Sequence, residues 1–259
     1  MTHPVTHISA SSISDWVTCP LRWHGRRVAK WPEPASPAMA MGSAMHAAFE
    51  AHHLGKDAEA ALMAAWTDMG VAEMSPPPGA LGRAFEALRA YRAFNPRDRR
   101  DRPEKKFSIR IHGLPVPIIG YLDLIRGPEI QEMKTGNGKW WTQAKVDAEL
   151  QPAVYWLAYI AMLKMPPERV VYQIVPTQPY VKPAFSLATL RTEQRLSEFK
   201  TLARRVWGEI QRGELRAACP PGRCLFPAQC APWRNDDGPT TEPVLTAAAN
   251  DSAAIHLQP

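Results

Sequence analysis

The sequence lacks any run long enough to cross a membrane. Its longest apolar stretch, "AVYWLAYIAML" at 153–163, is far below the ~20 residues that a spanning helix needs. The opening "MTHPVTHISASSISDW" has neither a basic n-region nor an apolar h-region, so no targeting segment is expected and the protein reads as soluble and cytoplasmic. No G-x-x-x-x-G-K-[ST] sequence occurs, which excludes a P-loop motor within these residues. No internal repeat is present. Cysteine is scarce, with 4 among 259 residues. In a reducing cytosol Cys19, Cys219, Cys224 and Cys230 read as metal ligands or bystanders rather than disulfides.

What is present describes a globular protein. Hydrophobic residues make up 45% of the chain, enough to bury a core as one domain with an appendage or as two small domains. The net charge of +6 and a pI near 9.2 favour an anionic partner such as nucleic acid.

Periodicity gives an α/β organisation. Ser12 and Asp15 have capping-box spacing, and Ile13, Trp16, Val17 and Leu21 follow at helical intervals. Residues 42–70 read as one helix, and Leu81, Phe85, Leu88 and Tyr91 mark another after the breaker "SPPPG". From Phe107 the period changes to two, through Ile109 and Ile111, then "VPIIGYLDLI", then "EIQEMK", which is a strand meander. A helix over 142–164, a strand "RVVYQIV" and a helix over 191–214 complete the pattern. The segment after Cys230 lacks sustained periodicity and reads as disordered.

Within the meander, "GYLDLIRGPEIQEMKTG" (120–136) puts acids and a lysine where a sheet favours apolar residues. If "RGPE" closes an antiparallel hairpin around Gly127 and Pro128, Ile125 faces Ile130 and Asp123 faces Glu132. Opposite residues lie about 4.5–5.5 Å apart at Cβ, so two carboxylates placed there repel unless something positive lies between them. Lys134 projects from the same face as Glu132. Two acids and a lysine so arranged suit a divalent cation and a nucleophilic water. The alternative is an ordinary set of cross-strand ion pairs on a solvated face. Tyr121, Leu122, Leu124 and Ile125 around Asp123 argue for a strand covered on both sides, where unpaired acids are costly. Proline at the third position is out of place in a type I turn, which leaves the turn unexplained.

A Gly-x-x-Asp strand followed by acid-x-Lys-Thr-Gly resembles the core of PD-(D/E)XK nucleases, in the RecB-like exonuclease branch. Four further stretches fit that branch in order: "SASSISDWVTCPLRW" (9–23), "GSAMHAAFE" (42–50), "QPAVYWLAY" (151–159), and the cysteines 219, 224 and 230. The resemblance implies an α/β, restriction-endonuclease-like core, a central mixed sheet flanked by helices, with a helical N-terminal part. One nuclease domain would span 1–234 (helical part 9–94, sheet core 104–190, C-terminal helix and cysteines 191–234), with a tail at 235–259.

The same resemblance implies that His46, Asp123 and Glu132 hold Mg²⁺ or Mn²⁺, helped by the Met133 carbonyl, and that Lys134 orients or activates water. Gln151 and Tyr155 lie at i and i+4 on one helix face and would line the active site, although Tyr155 also fits an apolar stripe with Trp156 and Tyr159. Glu104 resembles an accessory acid near the metals. The four cysteines resemble a [4Fe–4S] ligand set that joins the N- and C-terminal segments, with zinc the lesser alternative. Here the first two C-terminal cysteines are four residues apart rather than two, and "CPPGRC" supplies prolines and a glycine for the longer turn.

The function implied is a metal-dependent DNA exonuclease acting on ends or single strands, in phage recombination, repair or CRISPR adaptation. A helicase, recombinase or adaptation-complex protein would be its partner. A DNA-binding scaffold that keeps the fold and a structural zinc protein are the alternatives. The basic run "RAYRAFNPRDRRDRPEKK" (89–106) reads as a solvated loop or as a tracker of phosphates.

Overall fold

The computed structural model describes residues 5–33, 36–178, 183–219 and 224–231. Two compact units emerge, one gathering Met1–Glu33, Ser108–Ile119 and Glu198–Pro259, the other Pro34–Phe107 and Gly120–Ser197. The expected C-terminal tail and the "PPGR" turn between Cys219 and Cys224 lie outside the described residues.

In the second unit three helices precede the sheet: α3 (Pro37–Leu54), α4 (Ala58–Asp68) and α5 (Ala80–Phe94). The single helix expected over 42–70 is two. Gly55 takes φ 73° as the C-cap of α3, and the Asp57 carboxylate accepts the N–H groups of Glu59 and Ala60 to start α4. A left-handed glycine next to an N-cap aspartate stops one helix and starts another, whatever the apolar spacing across them.

Five strands follow, β1 (Asp101–Ile109), β2 (Ile118–Arg126), β3 (Glu129–Gly136), β4 (Arg169–Pro176) and β5 (Phe185–Thr189), arranged in that order in one sheet. The β2–β3 and β4–β5 pairs are antiparallel and β3–β4 is parallel, so the sheet is mixed. The parallel step requires a crossover, and α6 (Gln143–Ala148) with α7 (Gln151–Leu163) supplies it. The one helix expected over 142–164 is again divided, because Thr142 caps the first piece and Pro152 sits in the first turn of the second. The strand β1 begins at Asp101 rather than Phe107. Its polar, Pro-containing first half carries no period-two signal, and pairing at the sheet edge tolerates that composition. The strand β5 had no counterpart in the sequence reading.

One face of the sheet is covered by the N-terminal helices, where Leu124, Met133 and Val175 join Ala44, Met45, Phe49, Leu88 and Tyr91 in one buried cluster. Asp123 and Glu132 alternate with Leu124 and Met133, so they point to the opposite face, where α7 lies and Tyr155 reaches Glu132.

The first unit contains α1 (Ala10–Thr18), α2 (Pro20–Arg27), most of α8 (Glu193–Gln211) and the short α9 (Pro227–Cys230). The capping box expected from Ser12 and Asp15 does not form. Ser9 is the N-cap and accepts the Ser12 N–H. Asp15 is buried and instead takes Arg22 at 2.9 Å and Arg26 at 3.0 Å. A break at Cys19–Pro20 separates α1 from α2, since proline in the first turn of α2 cannot continue the helix before it. The Trp16 indole donates to Glu209 at 2.7 Å and its ring meets Trp23 edge to face at 5.1 Å, which fastens α1 to α8.

Candidate active site

The β2–β3 hairpin has the register read from the sequence, with Ile125 opposite Ile130 and Arg126 opposite Glu129. Gly127 and Pro128 are therefore its two turn residues. Gly127 has φ 55° and the proline ring holds its own φ negative, so only the first central residue is left-handed, as in a type II′ turn. That turn follows the right-handed twist of the strands, and the objection to proline in a type I turn does not apply. The paired register runs as far as Leu124–Gln131. At the next step the Asp123 side chain replaces a ladder bond, its Oδ2 accepting the Met133 backbone N–H at 2.9 Å.

Around this point four elements bring acids and bases together. His46 comes from α3, with its Nδ1 3.7 Å from Asp123 Oδ2, and the Met133 carbonyl faces its ring. Glu104 comes from β1, where it sits at φ 48°. A left-handed, non-glycine residue inside a strand is strained and marks a bulge that re-aims a side chain. Ligand atoms of His46, Glu104 and Asp123 all lie within 4.8 Å of one another, and among the described residues no other set of three or more such groups is that close.

Glu132 stands beside them with both oxygens taken. Lys134 Nζ forms a close ion pair with Oε1, and the Tyr155 hydroxyl donates to Oε2 at 2.7 Å. Lys134 Nζ also donates to Gln151 Oε1 at 3.2 Å, and Gln151 Nε2 donates to the Tyr155 hydroxyl at 2.6 Å. The result is a closed ring of four side chains, two from β3 and two from one turn of α7. Tyr155 is thus both apolar core, edge to face with Phe107 at 6.2 Å, and a hydrogen-bonding member of the site.

Electrostatics divide these groups into two sets. Glu132 is only 2% exposed, and burial alone would raise its pKa. The Lys134 charge and hydrogen bond outweigh that and hold it below the usual value. Burial likewise acts to lower the Lys134 pKa, and Glu132 outweighs it, leaving an ammonium. Asp123, 8% exposed, is pushed well above the ordinary range by burial and then by the Glu132 charge. Burial, followed by the charges of Glu50 and Glu132, raises Glu104 to about 7. Burial also depresses His46, which keeps its imidazole neutral and able to ligate. Asp123 and Glu104 are therefore carboxylates held in a desolvated place with too little positive charge, and their raised pKa values measure that deficit. Two carboxylates and a neutral imidazole are a suitable donor set for a hard or borderline divalent cation.

The solvated-face alternative fails on burial, since Asp123 and Glu132 are among the most enclosed polar residues of the chain. Two neighbours were not read from the sequence. Trp141 and Tyr172 place their rings 5.9 Å and 6.0 Å from Lys134 Nζ, which encloses the ammonium on its apolar sides. The only local signal for Trp141 is its place just after the Lys-Thr-Gly turn. Tyr172 has none, because it arrives from the parallel strand opposite Glu132.

The four cysteines meet in the first unit. Cys19, Cys219 and Cys230 are buried in a cluster with Leu21, against which Cys224, Trp31 and Ala217 pack. Cys19 Sγ accepts the Ala218 N–H at 3.3 Å. Burial acts to raise the Cys19 pKa, but the N–H groups of Ala218 and Arg22 outweigh it and hold the thiol below its usual value. Burial and then the neighbouring Cys19 raise Cys219 to about 11, and burial and then Cys224 raise Cys230 to about 12. No three of the sulfurs lie within 4.8 Å of one another, whereas Zn–S bonds of about 2.3 Å in a tetrahedron put thiolates about 3.8 Å apart.

Comparison with known proteins follows the same lines. The family model of the PD-(D/E)XK nuclease superfamily matches residues 7–231. Among solved structures, a Eubacterium rectale protein described as a candidate exonuclease superposes with a TM-score of 0.58 at 14% identity, covering 87% of this chain and 87% of its own. At that identity the likeness is one of fold. The structure of SSO0001 covers 90% of this chain and 89% of its own at 12% identity, with a TM-score of 0.43 that carries no argument. No curated protein matches the sequence. Among the described residues no helix is long and apolar enough to cross a membrane.

Proposed function

The chain belongs to the PD-(D/E)XK nuclease superfamily, and from that premise we propose that it is a Mg²⁺- or Mn²⁺-dependent DNA exonuclease of the RecB-like branch, acting on ends or single strands. The observation that carries this reading is the contrast within one buried cluster. Asp123 and Glu104 lack compensating charge, while Glu132 and Lys134 neutralise each other beside them.

His46, Glu104 and Asp123 would hold the cation, with Glu132 and the Met133 carbonyl at its border. The chemistry that a divalent ion held there would supply is polarisation of a scissile phosphate and easier ionisation of water. Lys134 keeps its proton and offers an ammonium to the attacking oxygen and to the charge that grows on phosphorus. Gln151 and Tyr155 fix Lys134 and Glu132 through hydrogen bonds. Trp141 and Tyr172 exclude water behind it.

Cys19, Cys219, Cys224 and Cys230 are proposed as ligands of a [4Fe–4S] cluster that joins the N- and C-terminal segments of the first unit. The order and placement of the four cysteines along the chain, which resemble such a ligand set, favour this choice over zinc. The setting proposed is phage recombination, repair or CRISPR adaptation, beside a helicase, recombinase or adaptation-complex protein.

Incubation of the purified protein with end-labelled single- and double-stranded DNA in Mg²⁺, Mn²⁺ or chelator tests the activity. Shortening of the label in either metal and none in chelator is expected, and intact DNA in every condition overturns the reading. Protein made anaerobically should be brown, and Cys19→Ser should lose colour and iron together. Full iron in that variant would remove Cys19 from the ligand set.

A further inference from the structure

Three elements lead away from the acid cluster along one side of the sheet. On β2 the residue after next from Asp123 on the same face is Ile125, and the strand then turns at Gly127. On α7 the turn after Tyr155 carries Tyr159, whose hydroxyl donates to the Gly127 carbonyl at 2.9 Å, and the next carries Leu163. On β1 the chain runs from Glu104 back to Arg102 and Arg100. All three reach a single cleft of about 810 Å³, whose lining includes Arg99, Arg100 and Arg102 together with Pro128, Leu163 and Met165. Gly127 is four positions on from Asp123, or about 13 Å along a strand.

The lining combines two chemistries. Arg99, Arg100 and Arg102 are exposed. Arg100 pairs with Asp98 at 2.9 Å, whereas among the described residues Arg99 and Arg102 have no ion-pair partner within 4.0 Å. The one acid of the lining, Asp101, is buried and taken by Arg126 and His53, so it does not cancel their charge. In the same lining Met165 is 53% exposed, and Pro128 and Leu163 are half-buried. Cations on an edge strand also deter pairing with other strands, but that role needs no exposed apolar residues in the same cleft.

We propose that this cleft holds single-stranded nucleic acid beyond the scissile nucleotide, with phosphates on Arg99 and Arg102 and unstacked bases against Pro128, Leu163 and Met165. The proposal rests on the nuclease reading and adds where the strand runs. A duplex keeps its bases stacked inside and offers phosphates alone, so the apolar part of the lining selects a single strand. Only a substrate several nucleotides long reaches both the cleft and the acid cluster, so the arginines act on affinity for long strands and leave the chemistry of short ones untouched.

The test compares the wild-type chain with Arg99→Ala/Arg102→Ala and with Met165→Ser. All three positions are exposed, and an unchanged Tm checks folding. Binding of labelled oligo(dT) of about 20 nucleotides is followed by anisotropy in chelator over a range of salt. Degradation of oligo(dT) of the same length and of a trinucleotide is followed in Mn²⁺. The arginine variant should bind about tenfold more weakly with a salt slope shallower by about 1.4, the value for two lost phosphate contacts on a single strand. Met165→Ser should weaken binding severalfold with the slope unchanged. Trinucleotide turnover should be equal in all three.

Equal affinity and slope in the arginine variant, with wild-type degradation intact, overturns the cleft and leaves the nuclease standing. Absence of both degradation and binding in the wild type overturns the nuclease reading and the cleft with it. Arginine-dependent binding of polyglutamate, with oligo(dT) binding unaffected by the same substitutions, also overturns the proposal and assigns the cleft to an acidic protein segment.

Discussion

Asp101 and Asp123 are buried aspartates on neighbouring strands, and they are treated in opposite ways. Asp101 receives Arg126 through Nε at 2.6 Å and Nη2 at 2.9 Å, the His53 ring at 2.7 Å and the Asp98 N–H at 2.8 Å. Burial acts to raise its pKa, but the Arg126 hydrogen bonds outweigh it and hold the carboxylate below the usual range. The surrounding network is closed as well. Tyr91 meets His53 Nε2 at 2.6 Å, Asn95 donates to Tyr91 at 3.0 Å and to Gln131 at 2.8 Å, and Arg126 donates to Asn95 at 2.6 Å. Asp123 has one backbone N–H and a neutral imidazole, and its pKa is raised. Burial of an acid therefore marks no function by itself. What separates a structural carboxylate from a candidate ligand is whether the fold supplies its countercharge or leaves that to something from solution.

The sharpest way to break the comparison is Asp123→Ala. Removing an undercompensated charge should leave stability unchanged or slightly improved, while DNA degradation should fall by at least about a thousandfold. Full turnover in a preparation free of contaminating nuclease would return Asp123 to a structural role. The counterpart at the other aspartate is Arg126→Met, which strands Asp101 without a cation. Loss of one partner from a buried pair costs about 3–5 kcal/mol, so Tm should fall by about 10 °C. A Tm shift of a degree or two would mean that water reaches Asp101 and that the contrast is overstated.

Lys134→Ala separates the two halves of the active cluster. Turnover should fall by about 10²–10³ with cation and DNA binding retained, the pattern for an interaction made mainly in the transition state. If metal affinity collapses in step with turnover, Lys134 serves chiefly to organise Glu132.

The smallest effect concerns pH and is visible only by difference. Burial depresses His53 to about 4 despite Asp101 beside it. The folded state therefore binds fewer protons than the unfolded chain below the ordinary histidine pKa of about 6.5. Stability from this group is fully present above that value and is lost as pH falls toward 4. Glu104, raised to about 7, runs the other way, since its contribution is present below its unfolded pKa and is lost as pH rises through 7. The two oppose each other between pH 7 and 5 in the wild-type chain. In Glu104→Gln, urea unfolding in chelator should lose more stability from pH 7 to pH 5 than the wild-type chain does, because the opposing Glu104 contribution is gone. An equal pH dependence in the two chains would show that the Glu104 pKa is not raised in the fold.

The acid-bearing hairpin was legible because its determinants are local. Alternation of apolar residues about Gly127 and Pro128 permits one register that buries both Ile125 and Ile130, and that register brings Asp123, Glu132 and Lys134 together. Gln151 and Tyr155 could be placed on one helix face by spacing, and the hydrogen-bonded ring bears out that placement. Glu104 was legible as an acid near the site but not as a member of its tightest group, because that depends on the left-handed bulge at its own backbone.

By itself the sequence determined most of the element types, the hairpin register at Ile125 and Ile130, and the superfamily resemblance that the family match bears out. Helical and strand periodicities, turn sterics and charge are properties of neighbouring residues, and a chain carries them before it folds. Only the tertiary structure decided that Asp101 has its arginine 25 residues away at Arg126 while Asp123 has none. It alone split the helices at Gly55 and Glu149, added β5, closed Trp141 and Tyr172 around Lys134, and gathered Arg99 and Arg102 into one cleft with Pro128 and Met165. Each of these depends on which groups meet after the backbone has crossed the sheet, and the energy of a buried charge is fixed by that meeting rather than by its neighbours in sequence.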